Sequence, residues 1–304
     1  MTENRTDVYA RITNEIVAAI ESGAGEWKMP WRHDGSSVAR PVNVASGKPY
    51  RGINTFALWI AAHARGYGCG VWATYRQWVE RGARVRKGEK ATTVVFWKQL
   101  RGRTEATDGE ADVFDADDHG PRFVARGYAV FNRAQVDGFE EPDAPRIPES
   151  ERVAHAESFF AALGVPVSYG ASGAWYRVSE DRIYMPDFGR FAEATGFYST
   201  LAHECAHAAG AQHRRDRDFS KRFTKQAVAA EELVAELTAA MILADLGLAT
   251  HPRADHAAYL ASWLELLEND KHAIFTAASK AQAAADWMHA RQPRSAARDD
   301  KEAT

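Results

Sequence analysis

Long apolar runs are missing from this chain. No stretch reaches the ~18 residues that a membrane-crossing helix requires, so no membrane partner is expected. Cysteine is nearly absent. Cys69 and Cys205 are the only two, far apart, and define no disulfide framework. The N-terminus, MTENRTDVYARITNEIV, lacks the basic start, apolar core and small-residue cleavage site of a secretion signal, which predicts a cytoplasmic protein. A dominant charge is missing too. The formal net charge is −3, so the chain as a whole is not a polycation. No internal repeat is visible.

What is present is unevenly placed. Residues 76–103 hold nine Lys or Arg against two Glu, whereas residues 105–118 hold seven acids and no base. The first block reads as an anion-binding surface and the second as a flexible acidic loop between two strands. Apolar residues make up 45% of the chain, enough for two packed domains.

The most informative segment is His203-Glu204-Cys205-Ala206-His207, an HExxH motif in apolar, helix-prone surroundings. Two His at i and i+4 project from one helix face and suit two sites of a tetrahedral Zn²⁺. The Glu beside the first His is placed to act as general base. Thr195 or Ser199 is expected to cap the helix and Gly210 to end it. Cys205 points away from the shared His face and reads as a small buried residue.

A third ligand has two candidates. His213 completes an HExxHxxGxxH pattern, but it opens a very polar run that reads as a surface loop. Glu232 lies on a mostly apolar helical stretch, residues 228–246, one turn before Glu236. Carboxylates in such surroundings are costly unless paired or metal-bound. The expected set is His203, His207 and Glu232, with His213 as runner-up. Glu236 is expected to accept the free ring N–H of His203, and Glu231 to face solvent. Tyr259 or Tyr198 is the candidate oxyanion stabiliser. Zn²⁺ is the expected ion, with Mn²⁺ or Co²⁺ as substitutes.

Upstream, aromatic residues are interleaved with the basic block: Trp72, Tyr75, Trp78, Phe96 and Trp97, with Trp27, Trp31 and Tyr50 before it. A basic groove with exposed aromatics holds single-stranded nucleic acid, cations tracking phosphates and bases stacking on rings. The turn Val85-Arg86-Lys87-Gly88-Glu89-Lys90 presents three cations and backbone N–H groups together, which suits phosphate. The candidate DNA contacts are Arg51, Trp72, Tyr75, Arg76, Arg84, Arg86, Lys87, Lys90, Trp97 and Lys98.

Periodicity predicts helices over residues 7–21, 52–64 and 74–81 and strands over 92–97 and 122–131, an α+β domain spanning 1–140. The Pro- and acid-rich residues 141–150 read as a linker. Residues 151–290 form a second domain, with a helix over 152–163, short strands over 175–178 and 182–185, the metal helix, the Glu232 helix, then helices over 256–267 and 271–289. Strands before a metal-bearing helix and helices after it is the zincin order. The polar residues 291–304 read as a disordered tail.

These residues carry a resemblance. Tyr50-Arg51-Gly52-Ile53-Asn54, Trp72-Ala73-Thr74-Tyr75-Arg76-Gln77, Val85-Arg86-Lys87-Gly88-Glu89-Lys90 and Val130-Phe131-Asn132-Arg133-Ala134-Gln135 in the first half, with Asp181-Arg182-Ile183-Tyr184-Met185-Pro186, Ser199-Thr200-Leu201-Ala202-His203-Glu204, Glu231-Glu232-Leu233-Val234-Ala235-Glu236 and Ala261-Ser262-Trp263-Leu264 in the second, resemble the ArdC family of plasmid-encoded antirestriction proteins, which is related to the N-terminal part of TraC primases. The resemblance implies an N-terminal single-stranded-DNA-binding domain joined to a zincin-like metallopeptidase domain, with Glu232 as third ligand. It implies a role in protecting plasmid DNA from restriction during conjugation, with a protein near DNA or the restriction enzyme as partner. The peptidase half is similar to DNA-dependent proteases of the SprT kind. The alternative is a module that occludes single-stranded DNA, with a structural or vestigial metal.

Overall fold

A computed structural model describes residues 7–23, 40–99, 113–114, 123–139, 148–217, 224–248 and 256–293. The Trp27 and Trp31 loop, most of the acidic loop, most of the 141–150 linker and residues 294–304 lie outside the described residues. The chain divides into two compact units, residues 1–144 with 254–279, and residues 145–253 with 280–304. The return of 254–279 to the first unit has no counterpart in a linear division at the Pro-rich segment.

The first unit is built on a mixed sheet. Its strands are β1 (Val42–Asn43), β2 (Val71–Thr74), β4 (Thr92–Gln99), β5 (Val113–Phe114) and β6 (Phe123–Asn132), in the order β1-β2-β6-β4 with β5 also pairing β6. β4 and β6 are antiparallel over eight residue pairs, from Thr92 opposite Val130 to Gln99 opposite Phe123. The β-branched and aromatic run of β4 favours this pleated, half-buried setting. β3 (Arg84–Val85) pairs separately with β7 (Val136–Asp137).

Helices close the sheet. α2 (Ile53–Arg65) packs Leu58 and Ala62 into a core with Tyr50, Trp72, Val94 and Val130. It also repairs the sheet edge. The Asn54 amide donates to the Val95 carbonyl and accepts from the Val95 N–H, both at 2.7 Å, acting as a short extra strand on β4. α3 (Tyr75–Glu80) starts on a reciprocal cap between Thr74 and Gln77. Its Trp78 is buried with Ala73 and Val136, and its indole N–H donates to the Phe131 carbonyl at 3.0 Å. α1 (Val8–Gly23) buries Tyr9, Ile12, Ile16 and Ile20, the spacing of one helix face. α7 (His256–Asn269) and the first turns of α8 (Ala273–Ala290) also belong here. Tyr9 packs on Phe275, and the Thr13 hydroxyl donates to the Lys271 carbonyl at 2.8 Å.

The second unit holds α4 (Glu149–Ala161), a three-stranded sheet, α5 (Ala194–Ala209), α6 (Lys225–Asp245) and the rest of α8. The sheet runs β8 (Val167–Ser168), β10 (Arg182–Tyr184), β9 (Trp175–Arg177), with β10 parallel to β8 and antiparallel to β9. Ile183 and Met185 are fully buried. The extensive contact is α5 against α6. Both are rich in Ala, which lets two backbones approach closely, and α6 is buried almost all round from Leu233 to Ala244. Near-continuous apolarity in α6 follows from burial on several sides.

Candidate metal centre

α5 carries the HExxH motif inside the second unit. The capping expectation fails: Glu193 takes the N-cap position, while Thr195 and Ser199 are buried within the helix, where burial against neighbours outweighs their capping preference. Gly210 ends the helix as expected.

His203 and His207 stand one turn apart, their Nε2 atoms 3.0 Å from each other. α6 brings Glu232 to the same point. Its Oε2 is 3.3 Å from His203 Nε2 and its Oε1 3.4 Å from His207 Nε2. Three donors around an ion with bonds of about 2.0–2.1 Å sit roughly 3.3 Å apart along the edges of a tetrahedron. The observed separations match that figure, so the donor set fits a divalent ion of zinc size. Among the described residues, the ligand-type side chains converging within 4.8 Å are His203, His207 and Glu232. Glu204, next to His203, is buried in the same wall.

His213, the runner-up ligand, is elsewhere. Its side chain is 61% exposed and pairs with Asp181 at 3.3 Å. Asp181, in the left-handed region at φ 46°, anchors the loop that follows α5. It takes two hydrogen bonds from Arg214, at 2.6 and 2.8 Å, and one from the Tyr176 hydroxyl at 2.7 Å. Burial and the neighbouring Asp181 carboxylate push the Tyr176 phenol up to about 12. This network holds His213 on Asp181, away from the metal helix.

The carboxylates behind the ligands depart from expectation. Glu236 lies beside His203, but its nearest oxygen is 3.8 Å from Nδ1, beyond hydrogen-bond reach, and Nδ1 has no hydrogen-bond partner among the described residues. Glu231, expected to be solvated, instead meets His207 Nδ1 at 3.1 Å. It is held there by Arg217, whose Nε and terminal nitrogen reach its two oxygens at 3.1 and 2.6 Å. Arg217 also donates to the Ala206 carbonyl of α5 at 2.6 Å. Sequence pattern missed this pair because Arg217 sits in a polar run with nothing local to mark it as buried.

The electrostatics follow. Burial alone lowers an imidazole's affinity for its proton, but Glu231 and Glu232 outweigh that and raise His207 to about 10. Burial pushes Glu232 up, yet hydrogen bonds from His203 and His207 override it and hold the carboxyl below its ordinary range. The cluster therefore retains a proton that a bound cation would displace. Cys205 is buried, and burial pushes its thiol up, which keeps it protonated.

Of the candidate oxyanion groups, Tyr198 does not join the cluster. Tyr198 lies on the side of α5 away from His203 and His207, at roughly 100° per residue. Tyr259 belongs to α7, grouped with the first unit, and its side chain lies outside the described residues.

In the first unit the expected DNA contacts separate into classes. Trp72 is a correction: it is fully buried with Leu58 and Val94 and has no face to stack on a base. Arg86 is paired internally, with Glu89 at 2.8 Å and Asp137 at 3.5 Å, and so braces its own turn. Arg76 pairs with Glu80 one helical turn away. Arg51, Tyr75, Arg84, Lys87 and Lys90 are exposed. Trp97 is partly engaged, its indole N–H donating to the Tyr9 hydroxyl at 3.2 Å. The side chain of Lys98 lies outside the described residues. Sequence reasoning left out Tyr128 and Arg126 and placed Phe96 only in the general aromatic block. Phe96 and Tyr128 are 50% and 44% exposed, meet edge to face at 5.4 Å, and share the sheet face with exposed Arg126. Cross-strand register, invisible in a linear reading, assembles that group.

Comparison with known proteins agrees with both halves. Residues 6–131 match the N-terminal domain of anti-restriction factor ArdC, and residues 154–280 match a zincin-like metallopeptidase family. The protein y4eC of Sinorhizobium fredii is 55% identical over 94% of this chain and 93% of its own length. The DNA primase TraC of Escherichia coli is 34% identical over 95% of this chain, which spans 27% of that longer protein. The crystal structure of the antirestriction protein ArdC from plasmid R388 in its metal-free form superposes with a TM-score of 0.76 at 38% identity, covering 94% of this chain and 97% of that one. Its Mn(II)-bound form gives 0.75 at 37% identity, covering 94% and 98%. With its two halves matched in order along nearly its whole length, this chain belongs to the ArdC antirestriction family.

Proposed function

We propose that this protein is a metal-dependent peptidase of zincin type joined to a single-stranded-DNA-binding unit, and that it protects plasmid DNA from restriction during conjugative transfer. The observation that carries the reading is the convergence of the His203, His207 and Glu232 donor atoms within 4.8 Å of one another, a spacing that suits one ion. The Mn(II)-bound structure of the ArdC relative supports a divalent cation. His203, His207 and Glu232 would hold the ion, Zn²⁺ or Mn²⁺, which when bound would supply Lewis acidity for peptide hydrolysis. Glu204 takes the proton released by the attacking water and delivers it to the leaving amine. Glu231, gripped by Arg217, keeps the His207 Nδ1–H donated outward and so leaves Nε2 for the metal. The substrate is a protein near DNA. Tyr75, Phe96 and Tyr128 stack bases while Arg126, Arg84, Lys87 and Lys90 meet phosphates.

The test is metal content by mass spectrometry, followed by Glu204→Gln in a restriction-protection assay. One bound ion in the wild type, lost in Glu232→Ala and kept in His213→Ala, is expected. Full protection by Glu204→Gln with intact folding and DNA binding would instead favour a non-catalytic module that coats single-stranded DNA.

A further inference from the structure

The side of α5 away from His203 and His207 walls a second concavity, contained wholly within the second unit. Its volume is about 670 Å³, within the range of sites that hold a small ligand or a short peptide segment. α4 contributes Val153, Glu157 and Phe160, β8 and its flanks contribute Val167 and Tyr169, and α5 contributes Phe197, Tyr198, Leu201 and Cys205. Asp187 and Phe188 complete the wall.

Three features mark this cavity as built for an occupant. Among the described residues its charge is of one sign, since Glu157 and Asp187 line it and no base does. Neither carboxylate makes a hydrogen bond or ion pair among the described residues. Tyr198 is only 5% exposed, yet its hydroxyl makes no hydrogen bond among the described residues. The Tyr198 hydroxyl is thus a donor and acceptor at the cavity wall, available to a bound polar group. Tyr169 and Phe188 are 59% and 50% exposed and both pack on Phe197, at 6.3 and 5.0 Å. Aromatic faces beside carboxylates attract a cation that carries an apolar body.

We infer that this cavity docks a segment of a partner protein in which a bulky apolar side chain is followed by Arg or Lys. The apolar side chain fills the space above Leu201 and Cys205. The cation lies between Glu157 and Asp187, and Tyr198 hydrogen-bonds the segment's backbone. The occupant rests against the back of the helix that carries the metal ligands and leaves their face open.

The experiment titrates the full-length, metal-free protein with acetyl-Phe-Arg-amide, acetyl-Phe-Gln-amide and acetyl-Phe-Glu-amide by NMR. The Arg peptide should bind tightest, about tenfold better than the Glu peptide. Glu157→Gln with Asp187→Asn should erase that order. Leu201→Trp and, independently, Val153→Phe should abolish binding by filling the space. Glu232→Ala, which alters the metal cluster alone, should leave peptide binding unchanged, which separates this cavity from the proposed peptidase cleft. No binding at about 5 mM peptide overturns the inference. So do equal affinities for the three peptides, or binding that survives both filling substitutions. Loss in Glu232→Ala alone places the peptide in the metal cleft and also overturns it.

Discussion

Arg217 holds Glu231 through two hydrogen bonds, at 2.6 and 3.1 Å, and through it reaches the ring of His207. The arrangement ties the loop after α5 to α6 behind His207. Arg217→Met should weaken Mn²⁺ affinity about 10–100-fold. It should also destabilise the fold by about 1–3 kcal/mol, because the buried Glu231 carboxylate loses two hydrogen bonds and keeps only the His207 ring. Titration followed by electron paramagnetic resonance reads the first effect and urea unfolding the second. Unchanged metal affinity in a folded variant would separate Arg217 from the site.

Metal uptake should release protons. His207, raised to about 10 by Glu231 and Glu232, is protonated at neutral pH in the metal-free protein and must lose that proton to bind a cation. Apparent metal affinity should therefore climb with pH up to about 10. Calorimetry in buffers of different ionisation enthalpy measures the protons released at pH 7–8. The metal-free fold behaves oppositely. A raised His pKa contributes stability that is fully present below the ordinary value of 6.5 and is lost as pH rises through about 10. Thermal unfolding of metal-free protein between pH 7 and pH 10 reads that loss.

Glu204→Gln should retain the ion and the fold but lose peptidase activity by about 100-fold or more, since it removes the proton carrier without touching a ligand. Glu232→Ala should lose the ion. Metal content measured beside cleavage of an unstructured protein substrate, with and without single-stranded DNA, distinguishes the two.

On the DNA-binding unit, Phe96→Ala and Tyr128→Ala should each weaken single-strand binding by about 1–3 kcal/mol without unfolding the protein. Neutralising Arg126, Lys87 and Lys90 should flatten the salt dependence by roughly 0.7 per phosphate contact removed. Trp72→Ala should behave differently, destabilising the fold by about 3–5 kcal/mol through the cavity it leaves. Fluorescence anisotropy over a salt series, with unfolding curves in parallel, checks all three.

Asn54→Leu should destabilise the first unit by about 2–4 kcal/mol. The buried Val95 N–H and C=O would lose the side-chain amide that satisfies them both. Hydrogen exchange at Val95 should accelerate relative to the centre of β6.

The readable part of the site was local. HExxH placed two imidazoles and a carboxylate on one helix because helical period is a property of adjacent residues. Glu232 was legible as a carboxylate in apolar company. Glu231 beside it was misjudged, since its partner Arg217 lies in a polar run whose burial depends on the loop's path. Trp72 and Phe96 show the same limit among aromatics. Both fit a basic, aromatic block, but Trp72 faces the α2 core, while Phe96 sits far enough along β4 to clear it.

The sequence by itself determined the two-part organisation and the helix that carries HExxH, because periodicity and motif spacing act over a few neighbouring residues, and the resemblance of its sequence blocks pointed to the family. Only the tertiary structure decided that Glu232, not His213, meets the two His, because the Asp181–Arg214 network and the packing of α6 on α5 are contacts between distant segments. It likewise decided the Arg217–Glu231 brace, the return of residues 254–279 to the first unit, and the cavity behind α5. Each depends on which faces meet once apolar surface has been buried, and no local pattern encodes that choice.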